Sequence, residues 1–206
     1  MKTICVLISG SGTNLQALID ACANGTIPDT RIGLVVSNRS AAYGLERARI
    51  AGIATFTQTL KSHKDAGKTR ADFDADLASS IRAEFAKNTN NAALDLIVLA
   101  GFMHILSPVF LAAFETTPII NLHPALPGQF DGANAIGRAY EAFQAGVVSE
   151  TGVMVHRVIA EVDRGDVVLV ERVPILASDT LESLEQRIHE VEHGIIVRGA
   201  LAILTL

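Results

Sequence analysis

The feature that most constrains this chain is a set of short runs whose apolar residues are continuous, not alternating. Residues 3–9 read TICVLIS, 31–37 read RIGLVVS and 94–102 read LDLIVLAGF. A strand with one wet face alternates polar and apolar residues. A strand apolar throughout is buried on both faces, as in a parallel sheet covered by helices. Longer amphipathic stretches separate these runs: NLQALIDACANG (14–25) closed by Gly25, AAYGLERARIAG (41–52) ending at Gly52, and a long helix over 70–88. TPIINLHP (117–124), a Gly-rich loop, a helix over 134–145, β-rich runs at 151–160 and 167–174, and a helix from about 181 onward complete the pattern. This alternation predicts an α/β fold, doubly wound around a mostly parallel sheet. The turn Asp163-Arg164-Gly165-Asp166 between the last two runs predicts an antiparallel edge near the C-terminus. Polar residues 61–69 and 87–92 are expected as surface loops, and residues 1–206 as one domain.

Composition narrows the function. Hydrophobic residues make up 49% of the chain and charged residues 19%, enough for a sizeable core and against disorder. The net charge of -5 and the absence of a Lys/Arg run argue against nucleic acid as a partner. Only five apolar residues (Ile4 to Ile8) follow Lys2 and Thr3, too few for a signal core or a membrane span. Cys5 and Cys22 read as reduced thiols. Together these features predict a cytoplasmic protein without a membrane partner.

In a doubly wound sheet, ligands lie at the carboxyl ends of the strands, here just after residues 9, 37, 102 and 121. The first such loop is Ser9-Gly10-Ser11-Gly12-Thr13-Asn14. Its glycines permit a tight turn and close backbone approach. Ser, Thr or Asn can cap the following helix, whose free N–H groups favour an anion. It lacks the Lys of a Walker loop and the third Gly of a dinucleotide fingerprint, where Leu15 stands; Ser37-Asn38 replaces the expected acidic residue. A phosphate seat and a plain turn both remain open.

Ile119-Ile120-Asn121 ends a strand, and Leu122-His123-Pro124 follows. This sets an amide that can donate to an oxyanion beside an imidazole that can exchange protons near neutral pH. Asp163, in an acidic turn, is a weak signal alone, and its sequence position does not bring it to His123. His189-Glu190-Val191-Glu192-His193 fits H-E-x-x-H, which on a helix puts two His on one face. Residues 194–206 contain no His, Cys, Asp or Glu for a third ligand, so no metal is expected there. His63 is expected to be solvated.

Several strings together carry a more specific signal: VLISGSGTNLQALIDA (6–21), SNRSAAYGLERARIAGIAT (37–55), IVLAGFMHILSP (97–108), INLHPALPG (120–128), TGVMVHRVIAEVDRGDVVL (151–169) and EVEHGIIVRG (190–199). Over nearly its whole length the chain resembles the phosphoribosylglycinamide formyltransferases, folate-dependent enzymes that formylate glycinamide ribonucleotide from 10-formyltetrahydrofolate in purine synthesis. The resemblance implies a Rossmann-like formyltransferase fold, with a ribonucleotide-binding half (1–115) and a catalytic, folate-binding half (116–206). It implies Asn121, His123 and Asp163 as catalytic residues. Asn121 and a protonated His123 would stabilise a tetrahedral oxyanion, and Asp163 would hold the imidazolium charge and relay protons through water. It assigns Gly12, Thr13, Asn14, Arg70 and Glu192 to the ribonucleotide, and Met103, His104, Ile105, Leu106 and Val162 to the folate. Only small-molecule partners follow, for a monomer or homodimer.

Two departures stand out. A bacterial form has Arg where this chain has His104, and the family's Leu-Pro-x-x-x-Gly is replaced after Leu126 by Pro127-Gly128-Gln129-Phe130-Asp131-Gly132. Competing readings are a related formyl-tRNA or formyltetrahydrofolate-hydrolysing enzyme, a non-catalytic phosphate-ligand module and a zinc hydrolase at 189–193. The two rival formyl enzymes are expected to carry an additional C-terminal or N-terminal domain, which favours the glycinamide ribonucleotide reading.

Overall fold

A computed structural model describes all 206 residues. The elements run β1 (Lys2–Ile8), α1 (Thr13–Ala23), β2 (Thr30–Ser37), α2 (Gly44–Ile50), β3 (Thr55–Thr57), α3 (Leu60–Asp65), α4 (Arg70–Thr89), β4 (Leu96–Leu99), α5 (Pro108–Ala113), β5 (Ile119–His123), α6 (Ala135–Gln144), β6 (Glu150–Arg157), β7 (Val167–Pro174) and α7 (Leu181–Leu204). They build one seven-stranded sheet of order β3-β2-β1-β4-β5-β6-β7. The strands from β3 to β5 pair in parallel, and β6 and β7 join antiparallel. Both the doubly wound core and the antiparallel edge match the sequence pattern.

The continuous apolar runs are explained by two cores, one on each face. Along β1, Ile4, Val6 and Ile8 enter the larger cluster beneath α1 and α7, while Cys5 and Leu7 enter the smaller one beneath α4 and α5. Period-two alternation thus sends every residue from Ile4 to Ile8 into apolar surroundings. Helices α4 and α7 begin with reciprocal capping boxes, Thr69 with Asp72 and Thr180 with Ser183. No helix is long and apolar enough to cross a membrane.

Three local expectations fail. Residues 61–69 are not all loop: Thr59 caps Ser62 N–H and starts the short helix α3. Helix α4 runs through Thr89, so only the end of 87–92 is loop. His63 is not solvated: its side chain is 14% exposed, its Nε2 lies 3.1 Å from Asp76 Oδ2, and its ring meets Phe73 edge-on. Helix α5, opened by Pro108, was not anticipated as a separate element.

Candidate active site

Strand pairing brings the central residues together. In β5, Asn121 lies opposite His156 of β6, so the two side chains project from one face. The amide Nδ2 of Asn121 lies 3.2 Å from His156 Nε2 and donates to Asp163 Oδ1 at 3.3 Å. His156 Nε2 is 3.3 Å from the same Asp163 oxygen, while its Nδ1 donates to the Arg157 carbonyl at 2.9 Å. His123 Nδ1 lies 3.4 Å from Asp163 Oδ2, which also accepts from Gly132 N–H at 2.8 Å. Asp163 therefore stands beside Asn121 and His123, although 40 residues separate it from His123 (163 − 123). His156 is the member that sequence reading missed. It lay inside a quoted motif, but strand register is what sets it against Asn121.

The electrostatics follow from burial. Desolvation pushes the His123 imidazole below its ordinary value, and the His156 charge adds to this. The carboxylates of Asp163 and Asp131 and the Phe130 backbone oppose the shift without overcoming it. Burial pushes the Asp163 carboxyl up, but His156, the Gly132 N–H and His123 outweigh it, and the net direction is down. At neutral pH the pair rests as neutral imidazole and carboxylate. His123 Nε2 is buried without a hydrogen-bond partner, an orphaned polar atom beside Asp163 and Asn121.

These groups line a cavity of about 410 Å³, together with Met103, His104, Ile105, Leu106 and Val162. That size suits a small organic ligand. Met103 and Ile105 are exposed at its mouth, whereas Leu106 is buried. The His104 ring turns inward: its side chain is 4% exposed, and Nε2 meets the fully buried Asp74 Oδ1 at 2.6 Å. Asp74 Oδ2 accepts from Ser107 N–H at 2.8 Å, so one carboxylate holds both ends of the segment 104–107. Ser9 Oγ accepts from Met103 N–H at 2.7 Å and anchors the segment to the end of β1. Arg70, the first residue of α4, donates to the Ile105 carbonyl at 3.3 Å on the cavity wall; its contact is not with the Gly12–Asn14 turn.

A second region lies where α1 begins. Gly12 has φ +72, and a Cβ there would fall 2.6 Å from Gly44 Cα, so this turn admits only glycine. No side chain caps α1, contrary to the sequence expectation, and its first N–H groups keep their capacity for an anion. Asn14 does not cap because its amide donates instead to Glu192 Oε2 at 3.0 Å. Glu192 stands on the apolar stripe of α7 among Ile188, Ile195 and Ile196, and is only 6% exposed. Burial pushes its carboxyl up, against the Asn14 hydrogen bond and nearby His189. Thr13, Gln16, Arg47 and His193 line a hollow beside it. The H-E-x-x-H string gives Glu192 to Asn14, and no three His, Cys, Asp or Glu side chains converge anywhere as metal ligands.

A doubly wound sheet with an amide–imidazole–carboxylate cluster at its strand edge is suited to acid–base chemistry and to stabilising an oxyanion. The profile of the formyl transferase family matches residues 2–200, and the chain belongs to that family. Among its relatives, the phosphoribosylglycinamide formyltransferase of Schizosaccharomyces pombe is 49% identical over 213 residues, covering 100% of this chain and 98% of that protein. The Dictyostelium discoideum enzyme of the same name is 47% identical, over 95% of each chain. The solved glycinamide ribonucleotide transformylase 1 from Symbiobacterium toebii superposes with a TM-score of 0.83 at 41% identity, covering 97% of this chain and 85% of that one.

Proposed function

We propose that this chain transfers the formyl group of 10-formyltetrahydrofolate to the amine of glycinamide ribonucleotide, a step of purine synthesis. The observation that carries the reading is the Asn121–His123–Asp163 cluster in the wall of a cavity of about 410 Å³. The likeness to full-length relatives of that name supports it. The folate takes the cavity beside Met103–Leu106 and Val162, and supplies the formyl carbon. The ribonucleotide phosphate meets the uncapped start of α1 at Gly12, Thr13 and Asn14, and Glu192 receives its glycinamide end. Arg70, on the cavity wall, fits the folate side better than the phosphate.

The chemistry follows from the resting charges. The substrate nitrogen attacks the formyl carbon and forms a C–N bond, leaving an oxyanion and a positive nitrogen. His123 Nε2, neutral and unpartnered, accepts the nitrogen's proton, and the imidazolium so formed faces Asp163. The charge on His123 thus arises during turnover and is not a property of the resting ring. Asn121 turns an N–H toward the oxyanion. Its resting contacts to His156 and Asp163, at 3.2 and 3.3 Å, are long, so one N–H is given up to the oxyanion at little cost. Collapse breaks the bond from carbon to the folate nitrogen, which takes the proton from His123.

A formyl-transfer assay with both substrates tests the reading. Turnover that requires both is expected; hydrolysis of the formyl folate without an amine acceptor, or no turnover at all, would sink it.

A further inference from the structure

Asp163 is a non-glycine residue in the left-handed region, at φ 56. Such a conformation is costly and persists only where its surroundings impose it. Its loop is held from two sides. Behind it, Gly165 packs so closely on β6 that a Cβ there would lie 1.8 Å from the Arg157 carbonyl oxygen. In front lies the loop 126–134, whose Gly128, Phe130, Gly132 and Asn134 all have positive φ. That loop has no strand ladder of its own. Arg138, from α6, donates to its Phe130 and Asp131 carbonyls. Arg164, next to Asp163, closes the circuit: its Nε and Nη2 lie 2.6 and 2.5 Å from Asp131 Oδ2. Gly132 N–H, one residue on, donates to the Asp163 carboxylate.

We propose that the Arg164–Asp131 ion pair is a positioning device: it couples the loop 126–134 to the Asp163 turn and holds the Asp163 carboxylate against His123. The inference rests on the formyl-transfer reading for its catalytic consequence, but not for its geometry. Arg164 and Asp131 are 55% and 26% exposed, and an ordinary surface pair of this kind would contribute almost nothing. Here the pair fixes where a buried carboxylate lies, and a misplacement of about 1 Å at such a group can lower turnover by up to about a hundredfold.

The test uses Arg164→Ala, Asp131→Ala, the double variant and Arg164→Lys in the full chain. Each alanine variant should lose about tenfold in kcat with its fold intact by circular dichroism, and the double variant should be no worse than either single. Arg164→Lys should restore most of the loss, and Arg172→Ala, which breaks the exposed pair with Glu150, should match the parent. A second readout is independent of activity: the NMR titration of the His123 ring in the parent and in Arg164→Ala. The ring is faced by Asp163, by His156 from β6 and by Asp131 from the loop. If Asp163 swings away, the midpoint moves down, because the favourable carboxylate is lost. If Arg164 acts only through its charge, the midpoint moves up, because Asp131 is left unneutralised. An upward or absent shift, parental kcat in Arg164→Ala, or multiplying losses in the double variant would overturn the proposal. A parent chain with no formyl transfer would instead sink the functional reading alone, since the NMR result stands without it.

Discussion

Replacing Asp163 by Asn tests the centre of the site at nearly constant shape. The carboxylate accepts from Gly132 N–H and Asn121 and faces two imidazoles at 3.3 and 3.4 Å, with a side chain 8% exposed. At 3.4 Å and an effective dielectric of about 20, an imidazolium and a carboxylate attract by about 5 kcal/mol. A hydrogen bond to a charged group, about 1.5–3 kcal/mol, gives the lower bound. At about 1.4 kcal/mol per decade, kcat should fall between tenfold and a few thousandfold, centred near a hundredfold. In the proposed mechanism the loss falls on kcat, because the charge on His123 develops in the transition state. The Asn amide also sets one donor against Gly132 N–H or Asn121, a stability cost of about 1–2 kcal/mol, or about 2–8 °C in Tm. Initial rates at saturating substrates, with a thermal melt of the same sample, read both quantities. A folded Asp163→Asn variant whose kcat stays within threefold of the parent would refute the role given to this carboxylate.

Other outcomes follow from the same geometry. Glu192→Gln should raise Tm at pH 7.5, because a carboxyl pushed up by burial pays to ionise in the folded chain and an amide does not; kcat/KM for the ribonucleotide should fall about ten- to a hundredfold, and a lower Tm with normal kinetics would contradict both. His123 and His193 both lie below their ordinary value of 6.5 in the folded chain, so between that value and their folded ones the unfolded chain binds more protons. Their contribution is complete above pH 6.5 and is lost as pH falls below it; in a Glu192→Gln background, which removes the opposing gain from that raised carboxyl, Tm should drop from pH 7.5 to 5.5, and a rise would contradict the assignment. Asp74→Ala leaves the His104 ring and the buried-side Ser107 N–H without their acceptor, costing about 2–5 kcal/mol by melting, and should raise KM for the folate more than for the ribonucleotide.

Much of the fold was legible because burial on both faces leaves a mark on the sequence. The runs at β1, β2 and β4 are apolar at consecutive positions, as a parallel sheet covered on both faces requires. Helices α3 and α5 left no such mark, since six residues are too few to show a period. In the site, Asn121 and His123 were legible from their place at a strand end. Asp163 was named by likeness, and its position came from the antiparallel return of β6. His156 was hidden because register, not composition, sets it opposite Asn121. Glu192 did leave a physical signal, a charge on an otherwise apolar helical stripe. His63 misled because a single histidine carries no record of its neighbours.

The hydrogen bond from Asn14 to Glu192 joins residues 178 positions apart. A chain leaving the ribosome exposes the glycine turn of α1 almost at once, while its buried carboxylate partner arrives only with the final helix. Sheet and cores can begin to organise during synthesis, but this second region cannot be completed until α7 docks. On the proposed assignment of Glu192, nascent chains halted before it should bind the ribonucleotide more weakly than the full chain, however much of the sheet they have built.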